Sequence, residues 1–401
     1  MNLKNIGEEY DVAIVGAGPA GLFLANLIKD LDFIVLEEHR EVGKPLHCAG
    51  LLSLKGLKRI GFMPQKSIQN KVRGAIFISP SGLKLIVESR RDEAVVVNRT
   101  FFDKELAEKV SDNIKLRTKV VKVAKRSGKW ILKTGSGSIR SKILVDAEGF
   151  RYNLSTKLGF EKPPKDLLLP AIQVELEKIR DLNRDLVEIY LGSKWAPGFF
   201  AWIIPLSEDE ARVGLAAREL PFSYLKNFLG KHPIASSKLK KAKVKRILGG
   251  RVVLTGIYGK IAKKSSILIG DVAGQTKPTT GGGVVYSGIA AHIASNIIRE
   301  ELAKNSGEIV LEEYDKAWRR LMGRELFLMK TARRFMMQIN DKDYDEMIKK
   351  MKEIGFESVA ERDGDMDFQY KILKKIIMTP SLYISQLPYL LTAFIKSLLT
   401  S

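Results

Sequence analysis

Asp11 to Gly21, read DVAIVGAGPAG, decides the reading of this chain. Val12, Ala13, Ile14 and Val15 form a short apolar run, the mark of a buried parallel strand. Gly16, Gly18 and Gly21 then give G-x-G-x-x-G, with Ala17, Pro19 and Ala20 between them. In such a segment the first glycine makes the tight turn, the second lets a pyrophosphate approach the backbone, and the third lets the helix pack on the sheet. The helix is expected from Pro19 to Lys29, its N-terminus offering free N–H groups and a positive dipole end to phosphates. A second apolar run, Phe33 to Leu36, ends in Glu37, placed to hydrogen-bond an adenosine ribose. A glycine-rich turn without a nucleotide is the plain alternative, but strand, glycines, helix, strand and acid in this order argue against it. A carboxylate at Glu37 disfavours a 2′-phosphate, so FAD or NAD(H) is expected before NADP(H).

The chain has 401 residues, enough for two packed units, one interrupting the other. A single cysteine excludes an intramolecular disulfide and fits a reducing cytosol. The first strand begins almost at once, so no secretory leader is expected. No long uninterrupted apolar run suggests a membrane-spanning helix. The charge is lopsided, with 67 Lys and Arg against 46 Asp and Glu. That excess implies attraction to an anionic membrane surface or a phosphate-bearing substrate, or else a lysine-rich solvated surface. The densest basic run, Lys238 to Lys245, carries no interleaved aromatics, so no nucleic-acid partner is expected.

Further along, Leu51 to Ile60 reads as a short helix. Gly74 to Ser79 and Leu83 to Val87 read as a hairpin turning at Pro80-Ser81-Gly82. Thr100 to Val110 is a helix that Thr100 can cap, with Phe102, Leu106, Ala107 and Val110 on one face. Ile114 to Val123 and Trp130 to Lys133 alternate as strands, and Ile143 to Val145 is a buried strand ending at Asp146. From Leu168 to Ala217 the texture turns to long β-like segments, read as a sheet capping the nucleotide domain. Leu248 to Val253 leads back to the first domain. Ile267 to Ile269 is a third buried strand ending at Gly270-Asp271, and Gly281-Gly282-Gly283 opens an apolar helix from Val284. The rest is helical. The fold class is therefore α/β: a Rossmann-type domain (1–73, 92–167, 248–305), an interleaved antiparallel cap (74–91, 168–247) and a helical C-terminal region (306–401).

Taken together these segments resemble FAD-dependent oxidoreductases of the glutathione-reductase-like and p-hydroxybenzoate-hydroxylase-like superfamily. Within it the chain is most similar to the geranylgeranyl reductase family, over residues 9 to 300. The first glycines with Glu37 and Glu38 match that family's ADP-binding part. His47-Cys48-Ala49-Gly50 matches its cysteine-bearing segment beside the isoalloxazine. Arg99-Thr100-Phe101-Phe102-Asp103 with Leu106-Ala107 matches its R-x-x-F-D-x-x-L-A segment. Asp271 matches the aspartate that holds the ribityl chain, and Gly281 to Gly283 with Val284 the run that approaches the flavin ring. Val121 joins the implied cofactor contacts. Phe200-Ala201-Trp202-Ile203-Ile204-Pro205, with Gly214, resembles the Y-x-W-x-F-P substrate motif. Phe200 replaces its tyrosine and Ile204 its phenylalanine, so the segment also approaches the W-x-W-x-I-P of flavin-dependent halogenases. Asp146-Ala147-Glu148-Gly149 stands where many relatives carry an Asp-Gly pair.

The resemblance implies an FAD enzyme that saturates C=C bonds of a geranylgeranyl chain, as in archaeal-type membrane lipids. Cys48 is the candidate proton donor, with His47 as a second, and Phe200, Trp202, Pro205 and Gly214 are the implied substrate contacts. By residue type alone, Cys48 reads as a small buried hydrophobe and Phe200 and Trp202 as core. No second dinucleotide motif appears, so the reductant is either a visiting NAD(P)H or a reduced ferredoxin. The apolar stretches Phe368 to Met378 and Tyr383 to Leu399 either pack on the cap or lie in a membrane interface. The expected location is cytoplasmic, peripheral to the inner face of the cell membrane. The competing readings are a flavin monooxygenase or halogenase acting on a small aromatic, and a non-catalytic lipid or electron carrier.

Overall fold

The computed structural model describes residues 8–304 and 308–379. Tyr383 to Leu399 lies outside the described residues. In chain order the first elements are β1 (Glu9–Val15), α1 (Pro19–Leu27), β2 (Phe33–Leu36), β3 (Leu51–Ser53), α2 (Leu54–Arg59), β4 (Ile68–Val72), β5 (Gly74–Ile78), β6 (Lys84–Glu88), β7 (Ala94–Val97), α3 (Arg99–Ala107) and β8 (Ile114–Lys115). Next come β9 (Lys122–Arg126), β10 (Lys129–Thr134), β11 (Gly137–Asp146), α4 (Asn153–Lys157), β12 (Leu168–Glu177), β13 (Leu186–Tyr190), β14 (Ala201–Pro205) and β15 (Ala211–Ala216). The remainder is α5 (Pro221–Lys231), α6 (Ala235–Leu239), β16 (Lys243–Val253), β17 (Ala262–Lys263), β18 (Ser266–Leu268), α7 (Val284–Ala303), α8 (Glu312–Met336), α9 (Asp341–Glu353), α10 (Phe356–Asp363) and α11 (Tyr370–Met378).

The first sheet has the order β17-β18-β11-β1-β2-β8, extended by β10 and β9. β1 lies at its centre, parallel to both β2 and β11. Both faces of a central parallel strand are covered, which is why Val12, Ala13 and Ile14 are all fully buried. Helices α1 and α7 pack against each other over this sheet, and Leu22, Leu24, Ala290 and Ala294 are buried there. The second sheet, β16-β12-β15-β14-β13-β5-β6, is the cap, antiparallel except where β13 runs parallel to β5. A small third sheet, β3-β7-β4, joins the two.

Several local expectations are corrected. Residues 51–53 pair with β7 as β3 before the helix starts, because Ser53 caps α2 by accepting from Gly56 N–H at 3.0 Å. Asn98, not Thr100, caps α3, accepting from the N–H groups of Thr100 and Phe101. Residues 114–123 do not form one strand: the chain leaves the sheet after Lys115, with Arg117 at φ 54°, and β9 starts at Lys122. Leu248 to Val253 belongs to β16, which pairs with β12 from Leu168 to Glu177 and so forms an edge of the cap sheet.

The C-terminal helices pack on the protein. Phe335, Ile348, Met351 and Phe356 bury themselves with Leu85 and Leu191 of the cap, and Ile377 of α11 packs on Leu328 of α8. No helix among the described residues is long and apolar enough to cross a membrane.

Candidate active site

One cavity of about 960 Å³ runs from the glycine turn of β1–α1, past the cysteine loop, to the cap and the C-terminal helices. At one end the three glycines divide their work. Gly16 has φ +112°, and a Cβ there would stand 2.4 Å from Ala147 O. At Gly21 a Cβ would stand 2.1 Å from Gly16 O, so this glycine lets α1 close on the turn. Gly18 has no atom within 4 Å of its Cβ position, and α1 starts there with no side-chain cap and no acidic residue in its first turn. An open, uncapped helix N-terminus of this kind suits a pyrophosphate. Glu37 lies beside it, accepting from Ala17 N–H at 2.8 Å and His39 N–H at 2.9 Å. Glu38 also lines the cavity and pairs with Lys119 at 3.0 Å and with Arg151. Glu148 also lines the cavity and caps α4, accepting from Leu154 N–H at 2.6 Å.

The middle of the cavity is where charge is concentrated. Arg99, its side chain 11% exposed, clasps Asp103, with Nη2 3.0 Å from Oδ1, and lies near the Cys48 thiol. Burial works against its charge, yet Asp103 and Cys48 hold the guanidinium above its ordinary value. Burial pushes the carboxyl of Asp271 up to about 6, partly offset by Arg99. A Cβ on Gly283 would stand 2.9 Å from Asp271 Oδ1, so the glycine brings the start of α7 against that carboxyl. Gly281 at φ +72° tucks against Val252 in the same way. Its N–H donates to Lys277 O at 2.7 Å and so is not offered to the cavity. These features fit FAD: an open, uncapped helix start for its phosphates with Glu37 beside it, and the Asp271 carboxyl with the start of α7 further along the same cavity.

The cysteine loop is held from the cap. Arg212 of β15 is fully buried, and its Nη1 donates to Ala49 O at 2.7 Å and Val97 O at 2.8 Å. Its Nε donates to Glu175 at 2.9 Å, and Glu175 also binds Arg246. Cys48 Sγ accepts from Gly50 N–H at 3.4 Å and faces the cavity. His47 lines it too, its Nδ1 2.6 Å from Gly249 O.

Beyond the loop the walls turn apolar. Phe200 stacks on Phe199 with centroids 4.1 Å apart, and Trp202 stands edge-on to Phe200 at 6.2 Å. Gly214 lets Trp202 lie flat on β15, since a Cβ there would meet the indole at 2.7 Å. Phe77, Leu85, Met336, Met347, Met351 and Ile376 carry the wall outward.

Most of the expected site residues thus line one space. Gly21, Pro205 and Gly214 do not: they shape the backbone behind the wall. Val121 points away and its O accepts from Lys157, while neighbouring Val120 lines the cavity. Tyr286 is buried against Asp367 O at 2.8 Å. Missed by sequence reasoning were Arg212, Arg151, the partner of Lys277 and the C-terminal wall. Lys277, just before the glycine run, makes a buried pair with Asp367 at 2.8 Å and ties the α10–α11 loop to the cofactor end. Only the basic residue in a valine- and leucine-rich strand signalled Arg212.

The family model for lycopene cyclase protein matches residues 11–349. The chain belongs to the lycopene cyclase protein family. By its relatives the chain falls with the geranylgeranyl reductases that its motifs resemble, and it is an FAD-dependent oxidoreductase. It is 31% identical over 376 residues to an uncharacterized protein of Methanocaldococcus jannaschii, covering 92% of this chain and 95% of that one. It is 28% identical over 375 residues to digeranylgeranylglycerophospholipid reductase of Methanosarcina acetivorans, covering 87% and 90%. In structure it is similar to a geranylgeranyl bacteriochlorophyll reductase-like protein of Thermoplasma acidophilum, with TM-score 0.82 and 23% identity over 96% of this chain and 99% of that one. The flavin-dependent brominase Bmp2 shares the fold at TM-score 0.69 and 18% identity, covering 92% and 98%.

Proposed function

We propose that this family member reduces C=C bonds in a geranylgeranyl chain of an archaeal-type membrane lipid. The observation that carries the reading is the apolar arm that continues the cofactor site through Phe200 and Trp202 to Met347 and Met351. Relatives named digeranylgeranylglycerophospholipid reductase support the substrate class.

FAD, when bound and reduced, supplies hydride to one alkene carbon. An isolated alkene accepts hydride poorly, so the protein must position it, exclude water and deliver a proton. The aromatic and methionine walls do the first two. Cys48 Sγ holds the proton for the second carbon, on a loop that Arg212 ties through Ala49 O to Val97 O at the end of β7. Arg99 and Asp103 keep the charge behind the loop paired. Electrons arrive from NAD(P)H or reduced ferredoxin. The protein works in the cytoplasm against the membrane face, its basic surface meeting lipid phosphates.

The test supplies dithionite-reduced protein with an unsaturated digeranylgeranyl ether phospholipid without air and weighs the lipid. A gain of two hydrogens per bond supports the reading. Unchanged lipid, with hydroxylation or halogenation of an aromatic once O2 is admitted, supports the monooxygenase or halogenase reading instead.

A further inference from the structure

We propose that Arg90, Arg91 and Arg362 receive the phosphate at the polar end of an amphiphilic substrate whose chain lies in the apolar arm. The inference rests on the reading above in taking that arm as the chain's place. A side pocket of about 440 Å³ adjoins the main cavity, and Ser89, Glu93 and Glu361 line both spaces. The three arginines line the side pocket only. They come from two separate elements, the turn after β6 and the helix α10, and line one pocket whose Ser89, Glu93 and Glu361 also line the main cavity. An amphiphile seated with its chain inside leaves its polar end at that shared boundary.

The arginines are available for a ligand. Arg91 Nε is 3.5 Å from Glu93 and Arg362 Nε is 3.3 Å from Asp363, and their side chains are 77% and 69% exposed. Arg90 has no ion-pair partner among the described residues. The pairs use the Nε edge, which leaves terminal nitrogens for the paired contacts that guanidinium makes with phosphate. Two carboxylates, Glu93 and Glu361, share the pocket, and Lys55 lies 3.6 Å from Glu93. Among the lining residues three cations face two anions, and Asp363 beside Arg362 is already paired with Lys371 at 2.6 Å and with Lys375, so the balance favours an incoming anion over a cation.

Calorimetry on the FAD-loaded protein tests this with geranylgeranyl monophosphate, a digeranylgeranyl ether phosphoglycerol and uncharged geranylgeraniol, each below its aggregation concentration. The wild type should bind the phosphate compounds about tenfold or more tighter than geranylgeraniol. The triple variant Arg90→Ala/Arg91→Ala/Arg362→Ala should lose that preference and keep its geranylgeraniol affinity. The larger loss among the two phosphate compounds tells a lipid headgroup from a prenyl phosphate. A preference that survives the triple variant, or is missing from the wild type while all three bind, overturns the proposal alone. If none of the three binds, the chain has no place in the arm and both readings fall. A preference lost on mutation in a protein that reduces none of them leaves the phosphate site standing and overturns the reductase.

Discussion

Replacing Gly18 and Gly21 separately by alanine should split cofactor affinity from fold stability. Both belong to the same motif, but their surroundings differ. The Cβ of Gly18→Ala meets no protein atom within 4 Å. Gly18 is the extended N-cap of α1, with φ −80° and ψ 178°, which alanine adopts freely. Its stability cost is the modest one of alanine for glycine at an N-cap, under about 1 kcal/mol. The methyl does stand on the open side where a pyrophosphate must approach. Losing one charge-assisted contact of about 1.5–3 kcal/mol weakens FAD binding about tenfold to a hundredfold. The Cβ of Gly21→Ala would stand 2.1 Å from Gly16 O and 3.2 Å from Ile14 Cγ2. Backbone cannot rotate aside, so overpacking of about 1–3 kcal/mol or more outweighs alanine's gain of about 1 kcal/mol in helix propensity. Urea unfolding of FAD-free protein reads the stability, and quenching of FAD fluorescence on titration reads the affinity. The reasoning is refuted if Gly18→Ala binds FAD like the wild type, or if it is less stable than Gly21→Ala.

Cys48→Ala should keep FAD, seen in an unchanged flavin spectrum, and lose turnover; unchanged turnover would remove the proton role. Arg212→Met should cost about 3–5 kcal/mol in urea unfolding, because Glu175 and the carbonyls of Ala49 and Val97 lose their buried partner. Glu325 accepts from Tyr370 N–H at 2.8 Å, and burial pushes its carboxyl up to about 7. A carboxyl raised on folding binds more protons folded than unfolded, so its contribution is full below about pH 4.5 and is lost as pH rises through about 7. The stability of the wild type relative to Glu325→Gln should therefore fall across that window, and a flat difference would contradict the burial argument.

The local rules that read correctly did so where one short stretch determined the structure. The apolar run, the three glycines and Glu37 carry β1, α1 and β2 because turn, helix start and packing are settled within about 30 residues. The α3 start was misplaced because Asn98 and Thr100 both cap well, and only the geometry shows Asn98 accepting both N–H groups. Residues 248–253 read as a return to the first domain because an edge strand and a buried one look alike when Gly249 and Gly250 interrupt the pattern. In the candidate site, the motifs that hold Cys48, Arg99, Asp271, Gly16, Gly18 and Gly281 to Gly283 lead to residues that line one cavity. Arg212 and the pairing of Lys277 with Asp367 were not legible, because the partners lie 163 and 90 residues away. The methionine and isoleucine wall from α8, α9 and α11 has the periodicity of any packed helix face, and only tertiary placement turns it toward the cavity.

The most direct test of the account is a stopped-flow experiment without oxygen. Protein carrying reduced FAD is mixed with the unsaturated digeranylgeranyl phospholipid, and flavin absorbance is followed while the lipid is weighed at matched times. The account predicts flavin reoxidation in step with the gain of two hydrogens per oxidised flavin. Flavin that stays reduced until air is admitted, with the lipid unchanged, would contradict it.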